Sequence, residues 1–175
     1  MEQSLDRLNW LRDLVKAEDQ MEESGVVDFS SGFESEQFLI RESIGFLLQL
    51  KHQFVEASNY FNEMKHSTLG RIKIYGIAKT HADFMLFRNG YKMIFTLTQP
   101  GLVSIRFNFL GPNQYIPNTI PTAQQSTATN LMEENLIEAK AGPFNELIWT
   151  YKNQPINNDA LVKYHMNLFI RESAK

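Results

Sequence analysis

Apolar residues recur with a helical period near the start of the chain. In residues 4–22, leucine returns at every third position from Leu5 to Leu14, and the charged residues fall on the opposite face. This pattern is typical of an amphipathic helix. Ser24-Gly25 and the glycines and serines that follow predict that the helix ends there and gives way to a loop.

The longest periodic segment runs from Ser35 to about His66 and contains no proline. Its apolar positions repeat every seven residues, with a second set three residues later, which gives a stripe wide enough to face a protein core. The two sets are Ile40, Leu47, Phe54 and Phe61, then Ser43, Leu50, Ala57 and Met64. We therefore predict one long helix that packs on the core.

The predicted length of this helix limits how it can be accommodated. A helix of about 32 residues extends for about 48 Å, whereas a compact chain of 175 residues is about 40 Å across. The helix should therefore overhang, bend or pack against a partner. Gly45 is the position where a bend is easiest, and a homodimer along the distal turns is the partner we expect.

After Gly70 the apolar period changes to two, and β-branched and aromatic residues become frequent. This change predicts strands, which we place at about residues 71–78, 83–88, 91–98 and 102–110. Asn89-Gly90 is typical of a two-residue hairpin turn, and such a turn pairs Arg88 with Tyr91. For the next turn, apolar matching favours pairing Phe95 with Ile105, with an irregularity near Gln99.

The last third of the chain predicts fewer elements. Residues 111–127 contain three prolines and no period, which indicates a long loop that we expect to be functional. A helix is predicted from about residue 129 to 141, a fifth strand at 144–151 and a final helix at 159–172. The whole is an α+β domain over residues 1–175, with helices on an antiparallel meander of four to five strands, in which residues 1–34 can form an N-terminal helical appendage.

Charge is distributed unevenly along the chain. The formal net charge is −3, but residues 1–42 carry eleven acids and four bases (−7), residues 43–110 carry three and eight (+5), and residues 111–175 carry six and five (−1). The predicted strands are therefore the basic part of the chain. Such an asymmetry indicates either an anionic partner or complementarity with the acidic N-terminal segment.

Alternation along the strands predicts that most of these bases share the sheet face opposite the core. Guanidinium and ammonium groups around aromatic rings are suited to hold a carboxylate or phosphate. The candidate binding residues are Arg71, Lys73, Tyr75, Lys79, Phe87, Lys92 and Arg106. The alternative is that a helix of the same chain, such as the acidic first helix, covers this face and leaves the lysines at its rim.

The sequence contains no motif that is typical of a catalytic, metal-binding or cofactor-binding site. The chain contains no cysteine, which excludes disulfides, thiolate metal sites and cysteine nucleophiles. His52 and Glu56 are four residues apart but fall on the solvent face of the long helix, while His81 and Asp83 are better explained by a hydrogen bond at a strand start than by catalysis. No phosphate-binding or nucleophile motif occurs, so we assign no catalytic residue, metal or cofactor.

The first 25 residues do not have the pattern of a secretory signal, and no run of about 18 apolar residues suggests a membrane span. We therefore expect a cytoplasmic protein that does not bind membranes.

From these residues we predict a non-catalytic regulatory or adaptor module that binds an acidic protein segment or a small anionic ligand on a basic sheet face. The first alternative is a small-molecule-binding cone or an enzyme, with His81, Asp83 and Tyr91 in a pocket between sheet and long helix. The second is an RNA-binding module that uses Tyr75 and Phe87. The acidic isoelectric point opposes affinity for a phosphate backbone, so nucleic acid is the less favoured partner.

Overall fold

The computed structural model describes residues 8–24, 35–77, 80–109 and 133–174. The chain divides into two units, Met1–Phe38 and Leu39–Lys175. In the first unit, helix α1 covers Asn9–Ser24 and so confirms a helix over most of the predicted 4–22 segment. Helix α2 begins at Ser35 and ends at Lys65, within one residue of the predicted bounds.

The described residues of the second unit form α2 from Leu39 onward, a seven-stranded antiparallel sheet and a C-terminal helix, α3. The strands follow one another across the sheet in chain order, as expected for a meander. The elements after α2 are β1 Lys73–Gly76, β2 Phe84–Arg88, β3 Tyr91–Gln99, β4 Leu102–Phe109, β5 Glu133–Ala141, a short 3-10 turn Pro143–Asn145, β6 Leu147–Tyr151, β7 Gln154–Pro155 and α3 Asn158–Glu172.

The registers of the first hairpins agree with those predicted from turn chemistry. Arg88 is opposite Tyr91 across a turn whose two residues both have positive φ, as a two-residue Asn-Gly turn requires. In the next pair of strands, Phe95 is opposite Ile105, and the register shifts between Leu97 and Gln99. The irregularity expected near Gln99 is therefore confirmed.

The prediction for the segment before Gly142 was wrong. Residues 133–141 form strand β5 instead of a helix, so the sheet has more strands than the four or five predicted. Glutamate, leucine and alanine favour a helix locally, but β5 lies between β4 and β6 and forms an antiparallel ladder with each. Tertiary pairing overrides local propensity here. The predicted 111–127 loop lies outside the described residues.

Helices α2 and α3 both pack on one face of the sheet, which we call the inner face. The ring of Phe54 in α2 lies 5.8 Å from that of Phe84 and 4.7 Å from that of Phe95, and these two sheet rings stack with centroids 4.5 Å apart. Phe169 of α3 packs edge-on against Phe107 at 6.2 Å. The inner face therefore carries the core predicted from the alternation of the strands.

The burial of α2 changes along its length. Leu47, Leu50 and Phe54 are fully buried, which confirms the central part of the predicted stripe. Near the C-terminal end of the helix, Tyr60 and Met64 are exposed by 66% and 61%. The predicted homodimer along these distal turns stays a prediction.

Arg88 is a buried cation in the core layer, with 4% of its surface exposed. Its Nε donates to the carbonyl oxygen of Gly70 at 2.7 Å, and its Nη1 donates to the carbonyl oxygen of Ile170 and to the hydroxyl of Ser173, each at 3.1 Å. Burial lowers the pKa of Arg88 from its ordinary value. The guanidinium thus fixes the C-terminal end of α3 to the sheet, where the helix dipole favours a cation.

Candidate functional site

The sheet face opposite the core, which we call the outer face, brings together five of the seven predicted binding residues. Lys73 of β1 is opposite Phe87 of β2, which is in turn opposite Lys92 of β3. Tyr75 is two residues from Lys73 on β1, and Arg106 of β4 is opposite Ile94 of β3. The period of two thus places these side chains on a common surface.

The other two predicted residues are not part of this group. Arg71 precedes the first strand and is exposed, and its Nε donates to the carbonyl oxygen of Ser67 at 3.0 Å. This bond orients Arg71 along the connection between α2 and β1. Lys79 lies outside the described residues.

The centre of the outer face is apolar and partly accessible. Tyr75 is 45% exposed and meets Phe87 edge-on, with ring centroids 6.4 Å apart. Met85 and Ile94 are half-buried beside them. The lysines at positions 73 and 92 flank this centre, so the surface offers apolar contact and positive charge to the same ligand.

Two polar atoms on the outer face are buried and have no hydrogen-bond partner in the described part of the chain. They are the Nε of Arg106 and the hydroxyl oxygen of Thr96. Thr96 is 5% exposed and lies opposite Ser104, two residues from Arg106 along β4. Diagonal neighbours of this kind are about 7–8 Å apart. The sequence reasoning missed Thr96, although its parity with Ile94 on β3 was a sufficient signal.

The outer face is not basic throughout. Glu134 of β5 is opposite Arg106, and its Oε1 accepts a hydrogen bond from the hydroxyl of Ser104 at 2.6 Å. Glu138 follows on the same strand and face and is exposed. Because residues 133–141 were predicted as a helix, these acids were not expected here. Lys140 is also exposed on this face of β5. The predominantly basic area therefore lies on strands β1–β4 and borders a strand that carries both signs of charge.

Access to the outer face follows from the positions of the helices. Within the described residues of the second unit, both α2 and α3 pack on the inner face through the core side chains already described. Neither of these two helices therefore covers the Tyr75–Phe87 pair.

His81 and Asp83 do not form a general-base pair. Asp83 is fully buried, and its carboxylate accepts hydrogen bonds from the hydroxyl of Thr80 at 2.8 Å and from the backbone N–H of Leu97 at 3.0 Å. His81 is exposed on the preceding turn. The carboxylate thus fixes the turn before β2 to strand β3, in agreement with its interpretation as a hydrogen bond at a strand start.

A partly buried cluster of polar side chains lies on the inner face, where the sequence pattern did not predict it. The hydroxyl of Tyr151 donates to Oδ1 of Asn135 at 3.0 Å, and the amide of Asn135 lies 3.4 Å from Nε2 of His165. Nδ1 of His165 donates to the carbonyl oxygen of Leu161 at 2.8 Å, which leaves Nε2 as the acceptor in the neutral ring. This chain of bonds connects β5 and β6 with α3.

Two further observations concern other classes of site. The described residues contain no group of three or more histidine, aspartate or glutamate side chains placed to hold a metal ion. Among the same residues, no helix is both long enough and apolar enough to cross a lipid bilayer.

Comparison with protein-family models, with curated proteins and with solved structures finds no match.

Proposed function

We propose that this chain is a non-catalytic regulatory or adaptor module that binds an acidic protein segment on the outer face of its sheet. The observation that carries the proposal is the pair of buried groups on Arg106 and Thr96, which have no hydrogen-bond partner among the described residues. A buried polar group without a partner is unfavourable by about 1–3 kcal/mol. A bound carboxylate would accept a hydrogen bond from the guanidinium and could be reached by the hydroxyl.

The spacing of the cations favours an extended segment over a small anion. Lys73 and Lys92 lie two strands apart, or about 10 Å at 4.8 Å per strand, and Arg106 lies on the next strand. Side chains that stand roughly perpendicular to the sheet keep this spacing, which matches several anionic groups along one segment better than a single phosphate or carboxylate. An extended peptide places alternate side chains about 6.6 Å apart, so two or three acidic residues of one segment can reach the three cations.

The exposed aromatic pair adds a second element of recognition. Phe87 lies between Lys73 and Lys92, and Tyr75 follows Lys73 on β1. The two rings are arranged edge-to-face, which leaves ring surface for an aliphatic or aromatic side chain of the ligand. Exposed pairs of lysine with carboxylate contribute less than about 1 kcal/mol each. The apolar contact and the Arg106 hydrogen bond should therefore supply most of the affinity.

The test uses the full chain and a fluorescein-labelled ten-residue peptide in which glutamate alternates with serine and tyrosine. The variant Lys73→Glu with Arg106→Glu should bind at least 30-fold more weakly, because a hydrogen bond to a charged group contributes about 1.5–3 kcal/mol and the charge reversal adds repulsion. The matched control, Lys163→Glu with Arg171→Glu, makes the same charge change at two exposed positions of α3. It should bind as tightly as the unchanged chain.

The other outcomes count against the proposal. No binding of the peptide by the unchanged chain, or equal weakening by both double variants, would overturn it. A large drop in melting temperature for the first variant alone would show that Lys73 and Arg106 serve the fold. Preferential binding of a labelled oligouridylate, with affinity that falls steeply with salt, would favour the RNA-binding alternative.

A further inference from the structure

The two outer strands of the sheet differ in how well they are protected from pairing with another strand. One is β7, which consists of Gln154 and Pro155. A short edge strand that contains proline discourages the addition of a further strand. The other is β1, Lys73–Gly76, which contains no proline and has three exposed residues out of four. We call the side of β1 that faces away from β2 the β1 edge.

Backbone groups alternate in direction along a strand, and two contacts show which residues of β1 face the edge. The N–H of Ile77 donates at 3.0 Å to the carbonyl oxygen of the residue that precedes β2, so Ile77 faces β2. Ile72 faces the other way, because its N–H and carbonyl oxygen bond to the side-chain amide of Asn62 in α2 at 2.8 and 2.9 Å. Ile74 and Gly76 have the parity of Ile72. Their backbone groups therefore point to the β1 edge, where no described residue bonds to them.

The β1 edge offers contacts to both faces of an added strand. On the inner face, Ile74 is half-buried and packs against the core. A Cβ added at Gly76 would meet no described atom within 4 Å, so there is room beside Gly76 for a large side chain from a neighbouring strand. On the outer face, Tyr75 is 45% exposed. An added strand could therefore bury apolar side chains beside Ile74 and Gly76.

The charge along this stretch of chain favours an acidic occupant. Residues 65–77 include Lys65, Arg71 and Lys73 and no acidic residue. Cations on an edge strand disfavour its pairing with a second copy of the same edge, because like charges then come close together. A carboxylate directly opposite Lys73 would instead form a favourable cross-strand pair. The β1 edge is thus suited to an acidic strand and poorly suited to itself.

We propose that the β1 edge binds an extended acidic segment of a partner protein as an additional, antiparallel strand. Main-chain hydrogen bonds to Ile74 and Gly76 hold the segment, and its alternate side chains give specificity. The ladder ends at Ile72, whose backbone groups Asn62 already occupies. In chain order, the segment has a large apolar residue opposite Gly76, an apolar residue opposite Ile74 and an acid opposite Lys73. This inference does not depend on the binding proposed for the outer face, although Lys73 borders both surfaces.

The probe is a fluorescein-labelled ten-residue peptide with Phe-Thr-Val-Glu at its centre, titrated with the full chain. In the proposed register, the N–H of the valine faces Ile74, whereas the N–H of the threonine points away from β1. N-methylation of the valine should weaken binding at least tenfold, because it removes a main-chain hydrogen bond and places a methyl group against the edge. The matched N-methylation of the threonine should change the affinity less than twofold.

Two variants at Gly76 test the same ladder from the side of the protein. Gly76→Pro and Gly76→Ala both add a Cβ, but only proline removes the N–H that points to the β1 edge. Neither change breaks a bond to β2, so the two melting temperatures should be similar, while the proline variant should bind at least tenfold more weakly. Lys73→Glu should weaken binding at least fivefold, and a peptide with lysine in place of its glutamate should restore it.

Arg106→Glu distinguishes this site from the one proposed on the outer face. Arg106 lies on β4, three strands from β1, so this variant should bind the probe as tightly as the unchanged chain does. Loss of binding in Arg106→Glu would overturn the inference, as would equal effects of the two N-methyl groups or no binding at 1 mM. A dimer of the unchanged chain that Gly76→Pro dissociates would also overturn it, because the occupant would then be a second copy.

Discussion

Replacing Arg88 tests whether the hydrogen bonds of this buried cation stabilise the fold by more than the burial of its charge destabilises it. The guanidinium donates three hydrogen bonds, to Gly70, Ile170 and Ser173. Its carbon also lies 5.0 Å from the ring centroid of Phe61. Methionine retains much of the aliphatic volume of arginine but donates no hydrogen bond, so Arg88→Met leaves these buried acceptors without their donor.

The expected magnitude follows from the three bonds. The net contribution of a hydrogen bond to a charged group is at least about 1.5 kcal/mol, which gives about 4.5 kcal/mol, and apolar contact of methionine with Phe61 restores about 1 kcal/mol. We expect the free energy of unfolding to fall by about 3–4 kcal/mol. For a chain of this size, that corresponds to a melting temperature lower by about 10 °C.

Urea denaturation followed by circular dichroism measures this change, with Arg88→Lys as the control. Lysine keeps the charge but offers one compact donor group in place of the planar fork. Arg88→Lys should therefore lower the free energy of unfolding by about half as much as Arg88→Met. The difference should be the same at about pH 6 and pH 8, because a guanidinium stays protonated over that range. A methionine variant as stable as the unchanged chain would refute the reasoning, since the penalty for burying the charge would then equal the gain from its hydrogen bonds.

Three further substitutions test turn and backbone positions. Asp83→Asn should lower the free energy of unfolding by about 1–3 kcal/mol. An amide has one acceptor oxygen, whereas the carboxylate accepts from the N–H and hydroxyl of Thr80 and from the N–H of Leu97. An unchanged midpoint in urea denaturation would contradict this. Gly45→Ala should raise the melting temperature, since nothing lies within 4 Å of the added carbon and alanine is better than glycine in a helix by about 0.5–1 kcal/mol. Gly101→Ala should lower it, because φ is +78° there and the added carbon would lie 3.3 Å from a leucine side chain; equal effects of the two alanines would refute the distinction.

The parts of the fold that the sequence predicted correctly depend on local chemistry. Asn89-Gly90 sets the register of its hairpin because only certain residues adopt positive φ at both turn positions. The buried middle of α2 followed from the spacing of Leu47, Leu50 and Phe54, because a helical period is fixed by backbone geometry. The grouping of Lys73 and Lys92 on one face followed from the same kind of argument, applied to the period of a strand.

The features that were missed depend on residues distant in sequence. Residues 133–141 have a composition that favours a helix, yet the ladder positions on β4 and β6 make them a strand. This change brings Glu134, Glu138 and Lys140 to the outer face, beside its predominantly basic area. The Tyr151–Asn135–His165 bonds could not be predicted for the same reason, because they join two strands to a helix.

By itself, the sequence therefore determined the helical period of α2, the pairing of β2 with β3 and of β3 with β4, and the face on which the residues of β1–β4 lie. The tertiary structure alone decided which segment completed the sheet and which polar groups of the described residues were buried without a partner. The physical reason is that torsional preferences act over a few residues, whereas burial and strand pairing depend on contacts that form only when the whole domain packs.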